Sequence, residues 1–155
     1  MQYNKKGFYA VRKRGYRSQL EETIAKQIVK AKHKLRYEGT KVRWRDLALR
    51  TYTPDFVLDN GIIIEAKGFW STSDRRKHVE IKQQYPELDI RLVFENSNRK
   101  IRKGSSTSYA MWCDKKNIVF CDKGIIPAKW FTDKTKRAMP TKIISYAIEG
   151  EGKTK

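Results

Sequence analysis

The sequence predicts an α/β domain in which a mixed sheet is flanked by helices. Three observations predict it. The chain has 155 residues, which suits one domain with tails. Segments with helical spacing of apolar residues alternate along the chain with short segments typical of strands. A predicted helix separates the strand-like segments 62–67 and 90–94, which favours a parallel crossover between them.

The first predicted helix covers roughly residues 19–32. Ser18 and Glu21 have the spacing of a capping box at its start. Ile24 and Ile28 follow at helical spacing and predict a buried stripe. Glu21 lies at the edge of this stripe, so it either caps the helix or faces inward, and the two roles are compatible.

The other elements follow from shorter patterns. Val42 and Trp44 alternate with basic residues as in a half-exposed strand, whereas residues 46–50 fit no single pattern. The remaining elements are strands over 52–58 and 62–67, a helix over 75–85 capped by Ser73 or Asp74 and stopped by Pro86, a strand over 90–94, a short helix over 109–116, a strand over 118–121 and a helical turn after Pro127. Residues 1–17 are predicted to be a flexible basic arm, and residues 132–155 a basic, mostly polar tail with one apolar patch, Ile143-Ile144.

The charge of the chain predicts a polyanionic partner. Lys and Arg number 35 against 17 Asp and Glu, a formal net charge of +18. Solubility alone is usually reached at net charges of ~2–8. We expect the partner to be nucleic acid. A membrane partner is not expected, because the sequence has neither a long basic amphipathic helix nor an apolar run of ~18 residues. No secretory signal is expected, and Cys113 and Cys121 fit no zinc pattern, which favours a cytoplasmic protein.

Basic residues cluster at three places along the chain. We expect these clusters to contact backbone phosphates, which give affinity and position rather than sequence recognition. They are Arg12, Lys13, Arg14 and Arg17 in the arm, then Arg75, Arg76 and Lys77, then Arg99, Lys100, Arg102 and Lys103.

A hairpin between residues 52 and 67 is predicted to bring two acids together. If Asp59-Asn60-Gly61 is a three-residue loop with Gly61 in the left-handed region, Asp55 lies opposite Glu65. Paired residues share a face, and Lys67 joins them because it is two residues past Glu65. The opposite face is then wholly apolar, formed by Phe56, Leu58, Ile62, Ile64 and Ala66.

Paired acids with a lysine have the composition of a hydrolytic metal site. Two facing carboxylates repel each other and need a compensating cation, for which Mg²⁺ with its preference for oxygen ligands is suited. A lysine beside them holds or activates a water, or neutralises charge at phosphorus. The pattern predicts metal-assisted phosphodiester hydrolysis. The alternative is an ordinary hairpin with a surface salt bridge.

The acids and the lysine also match a known signature. Pro54-Asp55 followed by Glu65-Ala66-Lys67 is the PD-(D/E)xK pattern of nucleases. Longer strings are more specific: Tyr16-Arg17-Ser18-Gln19-Leu20-Glu21, Thr51-Tyr52-Thr53-Pro54-Asp55-Phe56, Asn60-Gly61, Glu65-Ala66-Lys67-Gly68 with Trp70, Asp74-Arg75-Arg76-Lys77-His78, and Pro86-Glu87-Leu88-Asp89-Ile90-Arg91. From about Tyr16 to Trp130, the chain closely resembles the phage endonuclease I family, the four-way (Holliday) junction resolvases of the T-odd phages.

The resemblance implies a restriction-endonuclease-like core over residues 18–131. It implies a magnesium-dependent, structure-selective DNA endonuclease that acts in DNA recombination and cuts four-way and other branched junctions. If the protein is phage-encoded, the resemblance implies that it acts in the cytoplasm of the host cell. Mn²⁺ is expected to substitute for Mg²⁺, with one or two ions per active site. A homodimer is implied, and strand exchange between its subunits stays open because residues 43–50 lack the prolines found there in the family.

The resemblance also assigns roles to residues. Asp55 and Glu65 would be metal ligands, aided by the Ala66 carbonyl. Glu21 would complete the site and bind a second ion. Lys67 would orient or activate the attacking water.

The sequence is also compatible with two other functions. One is a non-catalytic basic protein that binds nucleic acid, and the other is a nuclease for duplex ends or mismatches. Three minor features have simple interpretations. His78 is expected to be solvated rather than to contact DNA. Tyr109, Trp112 and Cys113 are expected in the core rather than stacked on bases. The run 105–108 either caps a helix or binds phosphate.

Overall fold

Helices and strands alternate along the chain in the computed structural model, as the sequence predicts. The structure describes residues 15–46, 48–137 and 139–140, and the backbone of 143–144. The elements are α1 (Gln19–Lys30), β1 (Lys41–Asp46), β2 (Ala48–Tyr52), β3 (Phe56–Val57), β4 (Ile63–Lys67), α2 (Thr72–Gln84), β5 (Ile90–Phe94), α3 (Tyr109–Lys116), β6 (Val119–Cys121), α4 (Ala128–Thr132) and β7 (Ile143–Ile144). The predicted mixed α/β fold is confirmed.

The described strands form two sheets. The larger has the order β3-β4-β5-β6, with β3 antiparallel to β4 and the other neighbours parallel. The parallel pairing of β4 with β5 across α2 confirms the predicted crossover. The smaller sheet has the order β2-β1-β7.

Helices cover both faces of the larger sheet. Val93 of β5 packs in a cluster with Ile24 and Ile28 of α1 and Trp130 of α4. Its neighbours Leu92 and Phe94 point the other way and pack with Trp70 and with the buried side of α3. The alternation of β5 therefore separates two cores, and Ile64 of β4 packs in the same core as Val93.

Two helix starts show how local chemistry sets the boundaries. Ser18 caps α1 as predicted, since its hydroxyl accepts from the Glu21 N–H at 3.1 Å. The predicted cap of α2 was wrong. Ser71 is the cap, because its hydroxyl accepts from the Asp74 N–H at 3.1 Å and Asp74 lies inside the first turn. The helix ends before Pro86, as expected.

Of the segment that fitted no pattern, residues 48–50 lie in β2 and Asp46 ends β1. Strands β1 and β2 pair antiparallel from Val42–Tyr52 to Asp46–Ala48. One face of this hairpin packs on α2, since Val42, Trp44 and Tyr52 form a buried cluster with Ile81 and Tyr85. The remainder of β2 is exposed.

The end of the described chain is tied to the domain. The Asn60 amide donates to the backbone carbonyls of Trp130 and Asp133 at 2.8 and 3.0 Å. Arg137 binds the carboxylates of Asp89 and Asp133. The apolar patch Ile143–Ile144 forms β7, which pairs parallel with β1. Within the described ranges, every helix is too short or too polar to cross a membrane.

Candidate active site

The predicted hairpin register is confirmed. Val57 pairs with Ile63, which places Asp55 opposite Glu65 across the two strands. Gly61 has φ 84, the left-handed conformation expected at the third residue of the loop. The predicted apolar face packs against α1. The acids therefore lie on the opposite face.

Side chains from outside the hairpin fix its turn. The carboxylate of Asp59 accepts from the Lys34 N–H at 2.7 Å and from the Arg36 guanidinium at 2.6 Å. The Asp59 N–H donates to His33 Nδ1 at 3.0 Å. Because a slip of one residue would move every side chain to the other face, these contacts also protect the placement of the acids.

Asp55 is held as a buried carboxylate beside a second acid. It is 5% exposed, and its Oδ2 accepts from the Ala66 N–H at 2.8 Å. Burial and the charge of Glu65 together raise the pKa of Asp55 from 3.8 to about 7, although the Ala66 N–H and Lys67 act in the other direction. The fold therefore holds a negative pair that lacks full compensation.

Glu65 has a partner on each oxygen. Its Oε2 accepts from the Tyr52 hydroxyl at 2.8 Å, and its Oε1 lies 2.9 Å from Lys67 Nζ. Lys67 Nζ also lies 3.7 Å from an oxygen of Asp74. Burial lowers the pKa of Lys67, but the charges of Glu65 and Asp74 outweigh burial and hold the pKa above its usual value. The Lys67 side chain is therefore positively charged at neutral pH.

Tyr52 and Tyr37 are both bound to acids of this site. Burial first, and the neighbouring Glu65 second, raise the pKa of Tyr52 well above 10. Burial and the bond to Glu21 raise the pKa of Tyr37 to about 12. Both phenols are hydrogen-bond donors at neutral pH.

The side chain of Glu21 faces the interior of the domain, which is one of the two roles that the sequence allows for it. It is 7% exposed, and its Oε2 accepts from the Arg17 N–H at 2.9 Å and from the Tyr37 hydroxyl at 2.7 Å. The side-chain cap of α1 comes from Ser18. Glu21 lines the same open cleft as Asp55 and Glu65.

Arg17 brings a cation to the rim of this cleft. Its guanidinium binds Glu38 and lies 3.7 Å from Asp55 Oδ1. The backbone N–H of Glu38 donates to the Asp55 carbonyl at 2.7 Å, which holds this pair beside the acid. Most of the Arg17 side chain is exposed and available to a ligand in the cleft.

The oxygen chemistry of the cleft fits a hard divalent cation. Among the described residues, no three His, Cys, Asp or Glu side chains already form a metal-binding group. Lys67 supplies a positive charge next to Glu65. Burial and the charge of Glu65 raise the pKa of Asp55, and a bound cation that prefers oxygen ligands, such as Mg²⁺, would oppose both effects.

Two sequence expectations are corrected by burial. Arg75 is 6% exposed and donates to the Trp70 carbonyl at 2.6 Å and to the Thr72 hydroxyl at 2.9 Å, so it braces the loop before α2 instead of facing phosphate. His78 is 3% exposed and packs edge-on against Tyr52, not in solvent. Burial lowers the pKa of His78 well below its usual value, which makes the ring neutral.

The other predicted residues have varied positions. Arg17, Arg76, Arg99, Lys100, Arg102 and Lys103 are exposed, whereas Lys77 is partly buried. Arg12, Lys13 and Arg14 lie outside the described residues. In the run 105–108, Ser108 caps α3, and Tyr109 and Cys113 are in the core as expected.

Three residues that contact the acids and the lysine of the cleft were not predicted as site residues from the sequence. Tyr52 and Tyr37 bind the acids Glu65 and Glu21, and Asp74 contacts Lys67. The position of Tyr52 three residues before Asp55 was an available signal. Asp74 gives no such signal, because its contact depends on how α2 packs beside β4.

Comparisons with known proteins show the family to which the chain belongs. The family model described as phage endonuclease I matches residues 1–150. Endonuclease I of Escherichia phage T7 is 48% identical over 132 residues, which cover 84% of this chain and 88% of that protein. Endodeoxyribonuclease 1 of Enterobacteria phage T3 is 48% identical over 125 residues, which cover 78% of this chain and 82% of that protein. The chain therefore belongs to the phage endonuclease I family.

Proposed function

We propose that the chain is a metal-dependent DNA endonuclease that resolves four-way and other branched DNA junctions by phosphodiester hydrolysis. The observation that carries the proposal is the convergence of Asp55, Glu65 and Lys67 on one face of a confirmed hairpin register. The names of the T7 and T3 relatives support DNA cleavage. The net charge of +18 supports a polyanionic substrate.

The metal site is proposed to use hard oxygen ligands. Asp55, Glu65 and the Ala66 carbonyl would hold Mg²⁺, with Glu21 completing the site or binding a second ion. When bound, the ion supplies a Lewis acid and a more acidic water at neutral pH. Mn²⁺ has the same preference for oxygen ligands and is expected to substitute.

Lys67 acts beside the scissile phosphate as a fixed cation. Its raised pKa makes it a poor proton acceptor, which favours orienting the attacking water and neutralising charge at phosphorus. Its contacts with Glu65 and Asp74 fix the ammonium group on the floor of the cleft. Removing this group should therefore lower the rate of cleavage more than the affinity for DNA.

The DNA backbone is proposed to run along the exposed basic residues around the cleft. Arg17 is at its rim, and Arg76 and Lys77 lie on the first turns of α2. Arg99, Lys100, Arg102 and Lys103 form a second exposed group between β5 and α3. Such contacts predict affinity that falls steeply as salt increases.

The register of β1 with β2 supports a strand-exchanged homodimer. Asp46 pairs with Ala48, so the pairing is symmetric about position 47. If both strands belonged to one chain, only one residue would separate the paired Asp46 and Ala48. The common β-hairpin loops have two residues between the paired positions. Two straight strands from two copies would make the same pairs. Each cleft would then combine Glu21 of one copy with Asp55 and Glu65 of the other.

The activity is tested with a labelled four-way junction of fixed arms. We expect the wild-type protein with Mg²⁺ to nick opposed strands and to prefer the junction over linear duplex. Glu65→Gln and Asp55→Asn should bind the junction without cutting it. A wild-type protein that binds but never cuts would favour the non-catalytic binding function, and equal cutting of duplex and junction would refute the junction preference.

Strand exchange is tested by complementation. Glu21→Gln and Glu65→Gln proteins are unfolded together and refolded, and junction nicking is measured. In an exchanged dimer, half of the clefts of a mixed pair regain both acids, so nicking returns. If the mixture stays as inactive as each variant alone, the subunits do not exchange strands at this site.

A further inference from the structure

The side chains around Glu65 form a closed circuit of contacts. Glu65 Oε1 contacts Lys67 Nζ at 2.9 Å, and Lys67 contacts Asp74 at 3.7 Å. Asp74 binds Lys77 Nζ at 3.2 Å. The same Lys77 Nζ lies 5.0 Å from the centre of the Tyr52 ring, and the Tyr52 hydroxyl closes the circuit at Glu65 Oε2. Tyr52 lies on β2. The other residues of this circuit lie on β4 and α2.

The Tyr52 ring has little freedom to turn. It is 2% exposed and packs with Val42 and Ile81. The His78 ring lies edge-on against it, with 5.6 Å between ring centres. A rigid ring keeps the hydroxyl aimed at Glu65, so the hydrogen bond needs little ordering when a ligand enters the cleft.

We propose that Tyr52 is a positioning residue whose hydroxyl holds Oε2 of Glu65 and so fixes the orientation in which this carboxylate would meet Lys67 and a metal ion. The inference rests on the proposed function, because it assigns another residue to the same site. Without the hydroxyl, Glu65 would turn between its two oxygens and meet the ion in several orientations. Outer-shell partners of this kind typically change metal affinity or activity about 10–100-fold.

The test is Tyr52→Phe, which keeps the packed ring and removes one oxygen atom. Mn²⁺ binding is measured by calorimetry on the DNA-free protein, and the kcat and KM of junction cleavage are measured separately. We expect Mn²⁺ to bind about 10-fold more weakly and kcat to fall about 10-fold, with KM for DNA unchanged. Tyr85→Phe is the matched control, since Tyr85 is equally buried and its hydroxyl donates to the Arg43 carbonyl. It should leave both quantities unchanged.

A double variant separates positioning from general loss of structure. If Tyr52 acts through Glu65, adding Tyr52→Phe to Glu65→Gln should weaken Mn²⁺ binding no further. An additional loss in the double variant, or wild-type binding and kcat in Tyr52→Phe, would overturn the inference. If Glu65→Gln itself binds Mn²⁺ and cuts DNA like the wild type, the proposed function fails instead.

Discussion

Replacing Asp55 by Asn should stabilise the metal-free protein at neutral and alkaline pH. The pKa of Asp55 rises from 3.8 to about 7 in the fold, through burial and the charge of Glu65. Each pKa unit corresponds to about 1.36 kcal/mol. Ionised Asp55 therefore lowers the free energy of unfolding by about 4 kcal/mol above pH 7.

The direction of the pH dependence follows from this raised pKa. The folded protein holds the Asp55 proton more tightly than the unfolded chain does. The stability from this protonation is complete below pH 3.8 and is lost as the pH rises through about 7. The Asp55→Asn protein lacks this loss. Its free energy of unfolding should therefore exceed that of the wild type by roughly 1.5 kcal/mol at pH 5 and by about 4 kcal/mol at pH 8.

Urea unfolding in EDTA between pH 5 and pH 8 measures this difference directly. Asp122→Asn is the control, because hydrogen bonds from the Ser97 and Lys123 backbone outweigh burial and lower the pKa of Asp122. Its stability contribution is lost only at acidic pH, so its difference from the wild type should stay flat between pH 5 and pH 8. If the Asp55→Asn profile also runs parallel to the wild type, the fold does not raise the pKa of Asp55 and the inference is wrong.

Three further predictions concern the scaffold. Gly61→Ala should lower the free energy of unfolding by about 1–2 kcal/mol, because φ is 84 there, and equal urea midpoints would contradict this. Asn60→Ala should lower it by about 1–2 kcal/mol through two lost hydrogen bonds to the end of α4, as thermal unfolding would show. Burial raises the pKa of Cys113 and Cys121 to about 12. Neither thiol should therefore react with a disulfide reagent at pH 8 until the protein is unfolded. Rapid labelling of the native protein would refute this.

The hairpin was predictable because its signals are local and agree with each other. Asp59-Asn60-Gly61 fixed the loop length, and the apolar alternation of both strands admitted one register. That register places Asp55, Glu65 and Lys67 on one face before any tertiary contact is known.

What the sequence did not predict depends on packing at long range. Arg75 and His78 have the composition of a basic surface, yet α2 turns both toward the core. Asp74 meets Lys67 only because α2 begins beside the end of β4. The symmetric pairing of β1 with β2 was also hidden, since residues 46–50 carry no regular alternation.

The central claim is that Asp55 and Glu65 share a divalent cation on one face of the hairpin. Crystals grown with Mn²⁺ and measured for anomalous scattering test it most directly. We expect one anomalous peak within coordination distance of both carboxylates, about 2–2.5 Å from their oxygens. A peak elsewhere, or none between these two side chains at saturating Mn²⁺, would contradict it.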